Sequence, residues 1–307
     1  MSTHEIAEVS EVVEGVDLGR LEMSLRSPRT LISAALSGIA ISAAIVACIP
    51  LLSVLAMLIH RGGSRLNWEA LTSTPPAALA AGGGFGNAIV GTLTMVGIAV
   101  LLSVPSGILA ASFLAYIGPD TRTSGIVRFV AKVLTGLPSV LAGVFAYAAV
   151  VLATGGFSAP AGGVALAVLM LPTVLLTSEE AIKMVPARMK EAAIGMGATQ
   201  AQVLMRVILP TAMPGVLTGV MLAIARAAGE TAPLIFTALF SNYWLFDLGR
   251  VNLMKPTASL AVLIYNFSAA PFDNQVSLAW AASLVLVTMV LGFNIVGQFL
   301  SRNRHRR

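Results

Sequence analysis

Residues 30–59 read TLISAALSGIAISAAIVACIPLLSVLAMLI, thirty residues without a formally charged side chain. As an α-helix this stretch is about 45 Å long, whereas the hydrocarbon core of a bilayer is about 30 Å thick. A secretory signal peptide has a shorter apolar core that begins closer to the N-terminus. We therefore predict that residues 30–59 form a retained transmembrane helix.

The composition of the whole chain agrees with a membrane location. Of 307 residues, 57% are hydrophobic and 11% are charged, and the mean hydropathy is +0.87, whereas soluble domains carry about 25% charged side chains. These values exclude a soluble globular protein. The net charge of +5 comes from basic residues that flank apolar segments. Because they form no patch interleaved with aromatic rings, nucleic acid is not an expected partner.

Residues with metal or redox chemistry are scarce. Cys48 is the single cysteine and lies within an apolar run, so neither a disulfide framework nor a thiolate metal site is expected. The three histidines, His4, His60 and His305, all lie outside the apolar runs. The sequence therefore predicts no metal site.

Five more apolar runs predict an all-α, polytopic membrane protein with six transmembrane helices. The predicted spans cover residues 30–59, 85–117, 133–153, 161–178, about 214–240 and 277–300. An acidic N-terminal arm at residues 1–29 precedes this transmembrane domain of residues 30–300, and a basic tail at residues 301–307 follows it. A long polar loop at residues 179–213 interrupts the domain.

The distribution of lysine and arginine predicts the orientation. Positive residues near span ends are retained on the cytoplasmic side. The arm, the second loop, the fourth loop and the tail together carry 14 of these residues, whereas the three alternate loops carry 4. Both termini and the loop at residues 179–213 are therefore predicted to be cytoplasmic.

This loop contains EAAIGMGATQAQVLMRVILP at residues 191–210. Residues that favour helix lie on both sides of Gly195 and Gly197, and Pro210 is expected to stop the second helix. A short helix outside the bilayer suits docking into a groove of a partner protein. A surface helix that lies on the lipid headgroups is the alternative.

The loop resembles the EAA loop of bacterial ABC importer permeases. Val207 replaces the isoleucine of that pattern, and the matching residues are Glu191, Ala192, Ala193, Gly197, Leu209 and Pro210. The resemblance implies a type I permease fold in which Glu191, Ala192, Ala193 and Gly197 belong to a coupling helix seated on a separate ATPase. The chain has no G-x-x-x-x-G-K-[ST] segment. ATP and Mg²⁺ are therefore expected on the partner, with neither a cofactor nor a catalytic residue on this chain.

Two charged residues, Arg226 and Glu230, lie in the fifth predicted span. An arginine or aspartate at the centre of a transmembrane helix costs about 2.5–3.5 kcal/mol, which pairing or a wet cavity offsets. Their four-residue spacing predicts that both lie on one helical face. Small residues at 227–229 leave room for another helix or a hydrated substrate. The pair suits either an anion pathway or a buried ion pair that only locks helix packing.

The segment R-x-x-G-E-T-A-P at residues 226–233 resembles the A-type membrane subunits of bacterial phosphate-specific ABC importers, as do residues 82–84, 87–92, 136–139, 271–272 and 278–281. This resemblance implies phosphate import across the bacterial inner membrane, with Arg226, Glu230 and Thr231 on the substrate pathway. It also implies membrane lipid, a second homologous permease, two copies of an ATP-binding subunit and an extracytoplasmic phosphate-binding protein as partners. The acidic arm matches no motif, which leaves open a contact with a phosphate-sensing regulator.

The chemistry alone leaves other functions open. The chain is alternatively a permease for another oxyanion such as sulfate or molybdate, an ion-coupled secondary transporter, or a membrane scaffold without transport. One hypothesis addresses substrate choice. In this hypothesis the Glu230 carboxylate accepts the remaining proton of monohydrogen or dihydrogen phosphate, whereas sulfate at neutral pH has no proton to donate. Glu230 would thus favour phosphate over sulfate.

Overall fold

The computed structural model describes residues 28–247 and 250–304, and this part of the chain is predominantly α-helical. Its α-helices of four or more residues are α1 (Pro28–Met57), α2 (Trp68–Thr72), α3 (Gly86–Ser112), α4 (Arg122–Thr135), α5 (Ser139–Ala146), α6 (Ala159–Lys183), α7 (Ala187–Gly195), α8 (Gln200–Val203), α9 (Leu209–Ala228), α10 (Ala232–Thr237), α11 (Leu260–Ser268) and α12 (Asp273–Arg304). Two short strands, β1 (Phe246–Asp247) and β2 (Arg250–Val251), pair antiparallel. The predicted arm before Pro28 and residues 305–307 of the predicted tail lie outside the described residues.

The chain divides into two compact units, and the boundary along the sequence falls between Ala56 and Met57. The first unit is described from Pro28 onward and consists there of α1. The side chains of residues 31–56 are exposed all along this helix. Leucine, isoleucine and valine on every face of an exposed helix are expected where lipid, not water, is the solvent.

Within the described residues, five helical stretches are long and apolar enough to cross a membrane: Thr30–Arg65, Gly86–Ile117, Ala159–Lys183, Gln200–Ala228 and Asp273–Phe299. In this part of the chain a bent pair, Arg122–Thr135 with Ser139–Thr154, whose axes differ by 107°, gives a sixth crossing if the two helices count as one span. The prediction of one continuous third span at residues 133–153 is therefore wrong. Pro138 explains the break, since its ring disfavours helical geometry at the residue before it.

A π-helical turn at Leu204–Ile208 joins α8 to α9, so the chain is helical from Gln200 to Ala228. The prediction that Pro210 stops this helix is wrong. A proline inside an α-helix clashes with the carbonyl four residues earlier and removes one hydrogen bond. Here Pro210 lies in the first turn of α9, directly after the wider π-helical turn, where the hydrogen-bonding pattern already changes.

The fifth predicted span, about 214–240, is also not one helix. α9 ends at Ala228, Gly229 caps it, and the separate helix α10 begins at Ala232. Pro233 lies in the first turn of α10, a position that tolerates the missing N–H. The two charged residues of this segment therefore lie at a helix end.

The central helix of the second unit is α6, because most of its apolar stretch is buried. Small residues bring its neighbours close: Gly107 of α3 lies against Val174, and Gly219 of α9 lies against Thr177. Membrane helices pack through such small residues, since lipid gives no hydrophobic drive for their association. α6 thus fixes the positions of α3 and α9.

Candidate functional site

Arg226 and Glu230 meet at the end of α9. Arg226 lies in the last turn of the helix, and Glu230 lies in the non-helical link before α10. The expectation that one helical face carries both residues is therefore wrong. Their side chains still pair, with Arg226 Nε 3.4 Å from Glu230 Oε1. The Arg226 side chain is 47% exposed and that of Glu230 is 16% exposed, so the guanidinium remains accessible to a ligand.

This pair lies beside the middle of α6. It lines a small recess with Leu169, Met170 and Thr173, which are central residues of a helix that runs from Ala159 to Lys183. A charge at this depth is costly in lipid and is usually found facing a protein interior or a wet cavity. The pair therefore has a position typical of charged residues that face a protein interior or a membrane pathway.

Thr231 directly follows this pair and is half-buried. Its carbonyl accepts hydrogen bonds from the N–H groups of Leu234 and Ile235, which starts α10. Gly143 of α5 packs so closely against Pro233 that a Cβ there would lie 2.7 Å from Pro233 Cα. The link that carries Glu230 and Thr231 is thus held at its α10 end.

The predicted coupling residues lie on α7 and in the turn after it. Glu191 and Ala192 are exposed on α7, whereas Ala193 is buried. Gly197 has a φ of +84°, and its N–H donates to the carbonyl of Ile194. A left-handed residue after a helix is ordinarily glycine, because other side chains clash there. The predicted order of helix, glycine break and helix is present.

α7 is attached to the helices on both of its sides. Ala193 belongs to one buried apolar cluster with Ile182 in the last turn of α6, Val185 in the link between α6 and α7, and Val203 of α8. The next helix begins with a capping box, in which Thr199 and Gln202 bond each other's backbone N–H groups. The side of α7 opposite its exposed residues therefore packs on a buried apolar cluster.

One continuous helix connects the two regions. Residues 200–228 rise about 1.5 Å each, so the helix is about 40 Å long. It begins next to the turn that contains Gly197 and carries Arg226 in its last turn. A single helical stretch thus extends from the turn after α7 to the charged pair.

A further charged cluster lies at the end of α6 next to α7. Glu179 Oε1 lies 2.6 Å from Arg128 Nε of α4 and 2.8 Å from Lys183 Nζ. The Glu179 side chain is 2% exposed. Within residues 28–247 and 250–304, no group of three His, Cys, Asp or Glu side chains is placed to hold a metal ion.

Residues 103–307 match the family described as binding-protein-dependent transport system inner membrane component. The chain belongs to this family. It is therefore a permease, a multi-pass membrane component of a transport system.

Several curated relatives of this permease are described as phosphate transport system permease protein PstA. The relative from Xylella fastidiosa is 38% identical over 86% of this chain and 90% of its own length. The relative from Haemophilus influenzae is 40% identical over 79% of this chain and 84% of its own length. A relative from Methanocaldococcus jannaschii, described as probable, is 33% identical over 80% and 85%.

Solved transporters share the fold of this permease at low sequence identity. An inward-facing MetNI methionine ABC transporter matches with a TM-score of 0.57 and 18% identity, over 72% of this chain and 94% of that chain. A bacterial ABC transporter for import of the polysaccharide alginate matches with a TM-score of 0.58 and 15% identity, over 89% and 95%. The predicted fold class, an all-α polytopic permease of ABC importers, is confirmed.

Sequence reasoning missed the Arg128–Glu179 pair of the permease. The four-residue spacing of Glu179 and Lys183 at the end of an apolar run is a signal for a local ion pair. Arg128 is 51 residues away from Glu179, and no local pattern indicates that they meet.

Proposed function

We propose that this chain is the transmembrane permease subunit of an ATP-driven importer of inorganic phosphate. It forms half of the translocation pathway, and a separate ATPase drives it. The observation that carries this proposal is the helix from Gln200 to Ala228, which links the coupling segment to Arg226 beside the middle of α6. The relatives named for phosphate transport support the choice of substrate.

Arg226 is the proposed contact for the substrate. A guanidinium presents five N–H donors in a planar fork that suits phosphate oxygens. In a site with little water such charge-assisted bonds are about twice as strong as bonds between neutral groups. The partly exposed side chain of Arg226 leaves its donors available, and Thr231 lies next to the pair on the same pathway.

Glu230 is proposed to select phosphate over sulfate. A carboxylate repels a fully ionised oxyanion but accepts a hydrogen bond from the O–H of a protonated phosphate. The Glu230 carboxylate lies within reach of whatever Arg226 binds, because Arg226 Nε and Glu230 Oε1 are 3.4 Å apart. An oxyanion without a proton finds no such partner. A permease for sulfate or molybdate is the alternative.

α7 is proposed to be the coupling helix. Its exposed residues Glu191 and Ala192, together with Ile194, give a small mixed surface that suits insertion into a groove on a partner. Ala193 packs in the buried apolar cluster next to α7, and Gly197 permits the turn that returns the chain to the membrane. ATP and Mg²⁺ would be held by the partner ATPase.

The proposed assembly lies in the bacterial inner membrane with both termini in the cytoplasm. The segments proposed to be cytoplasmic carry 14 lysine and arginine residues, whereas the alternate loops carry 4, which supports this orientation. It places α7 on the cytoplasmic side, where ATP is present. The partners are a second homologous permease, two copies of the ATP-binding subunit, an extracytoplasmic phosphate-binding protein and the surrounding lipid. The acidic arm at residues 1–29 is a candidate for contact with a phosphate-sensing regulator.

Labelled phosphate uptake tests this function in cells that lack the chain. Wild type and Arg226→Ala are compared at equal membrane levels, with sulfate as competitor and with ATP depleted independently of the proton gradient. We expect ATP-dependent, sulfate-resistant uptake that is lost in Arg226→Ala. Arg122→Ala is the control, because Arg122 is an exposed arginine on α4.

Other outcomes would replace the proposal with a named alternative. Uptake that follows the proton gradient indicates an ion-coupled secondary transporter, and uptake that sulfate abolishes indicates a general oxyanion permease. Normal uptake by Arg226→Ala would remove Arg226 from the pathway and leave the ion pair as a packing device.

A further inference from the structure

Glu179 is a buried carboxylate near the end of α6 that leads to α7. Among the residues whose side chains the structure describes, Glu179 is the sole charged residue that is buried. Taking a carboxylate out of water is costly unless it is paired and hydrogen-bonded. Glu179 meets this condition through two cations, Arg128 and Lys183, which both approach its Oε1.

Arg128 connects α6 to two other segments. Its Nε donates to Glu179 Oε1 at 2.6 Å, its Nη2 donates to the carbonyl of Leu114 at 2.6 Å, and its Nη1 donates to the carbonyl of Pro119 at 2.9 Å. Leu114 lies in the π-helical turn after α3, and Pro119 lies in the connection to α4. One guanidinium thus joins α4, the end of α3 and α6.

Lys183 plays a different part from Arg128. It lies on α6, one turn after Glu179, and its side chain is 42% exposed. It therefore neutralises the carboxylate without joining one helix to another. The two cations differ in this property, although both contact the same oxygen atom.

The end of α6 held by Arg128 is also the base of α7. α6 ends at Lys183, α7 begins at Ala187, and Ala193 of α7 packs in one buried cluster with Ile182 and Val185. On the other side of Arg128, α4 and the helix Ser139–Thr154 meet at a 107° bend. Arg128 thus links the α6–α7 corner to this bent pair of helices.

We propose that Arg128 is a positioning residue for energy coupling. Its bond to Glu179 makes α4, the end of α3 and the α6–α7 corner move as one body, so that work done on α7 reaches the transmembrane helices. This inference rests on the proposed coupling role of α7. It adds a residue outside the coupling segment and outside the charged pair at Arg226.

The first test measures phosphate import and ATP hydrolysis together in proteoliposomes that contain the complete importer. Arg128→Ala is expected to lower the phosphate imported per ATP hydrolysed by about tenfold, which corresponds to 1.4 kcal/mol of lost coupling, while hydrolysis continues. Lys183→Ala is the matched control and is expected to keep this ratio within about twofold of wild type. Arg128→Lys, which keeps the charge but loses the planar fork, is expected to lie between them.

The ratio separates positioning from a merely structural role. If Arg128→Ala lowers hydrolysis and import in proportion, Arg128 only maintains the amount of folded complex, and the proposal is overturned. The same conclusion follows if Arg128→Ala and Lys183→Ala change the ratio equally, because charge neutralisation then explains both effects.

A second test does not depend on phosphate. Spin labels are placed at Thr123 of α4 and Arg188 of α7, which are both exposed, after Cys48→Ser removes the native thiol. The distance between the labels is measured in the complete importer with and without ATP. We expect one narrow distribution in both states for the otherwise wild-type chain, and a broad one after Arg128→Ala.

The two tests distinguish failure of this inference from failure of the proposed function. A distribution that Arg128→Ala leaves unchanged would overturn the positioning role. An importer that carries another oxyanion would refute the proposed substrate, and the distance measurement would still decide the role of Arg128.

Discussion

Replacing Gly219 with alanine is expected to push α9 away from α6 just before the charged pair. A Cβ at position 219 would lie 2.6 Å from Thr177 Cβ and would also collide with Thr177 Oγ1. Carbon atoms pack favourably at about 3.5–4.0 Å, so the helices must separate by about 1 Å. Rotation of the Thr177 side chain moves its hydroxyl but leaves its Cβ in place. The backbones must therefore move.

The cost of this separation follows from two opposing terms. Extra methyl groups in a packed core cost about 1–3 kcal/mol, whereas alanine favours a helix over glycine by about 1 kcal/mol. The net loss of stability is therefore at most about 2 kcal/mol. Gly219 lies about two helical turns before Arg226, so the same separation displaces the guanidinium from its recess and lowers uptake.

Thermal denaturation of the purified importer measures the effect on stability. The matched control is Gly97→Ala in α3, because a Cβ there meets nothing within 4 Å. We expect Gly219→Ala to lower the Tm by about 2–4 °C for each kcal/mol and Gly97→Ala to leave it equal or higher. Equal Tm values and equal phosphate uptake for the two variants would refute the argument from close packing.

Three further predictions concern single residues. Gly197→Ala places a side chain at a φ of +84° and is expected to cost about 1–2 kcal/mol, so less ATPase copurifies than with the helical control Gly195→Ala; equal amounts would contradict this. Glu230→Gln is expected to lower the ratio of phosphate to sulfate uptake, and an unchanged ratio removes Glu230 from substrate selection. In Gly91→Ala the new Cβ collides with the carbonyl of Ala258, which cannot rotate away, so the amount of folded protein in membranes is expected to fall; normal levels would show that the backbone yields.

The apolar runs determined from the sequence alone that the chain is an all-α, polytopic membrane protein. A run such as residues 30–59 must be helical in lipid, because no water is available to satisfy its backbone groups. The glycine break after α7 was equally readable, since few residues other than glycine adopt the conformation of Gly197. These features depend on local chemistry.

Tertiary structure decided where helices bend, end and meet. Pro138 breaks the third predicted span, whereas Pro210 is accommodated by a π-helical turn that no local pattern indicates. The bond between Arg128 and Glu179 joins residues 51 positions apart, and the place of Arg226 beside the middle of α6 depends on the packing of α9. Hydropathy and propensity act over a few neighbouring residues, whereas these contacts depend on which helices pack together, so only the folded chain reveals them.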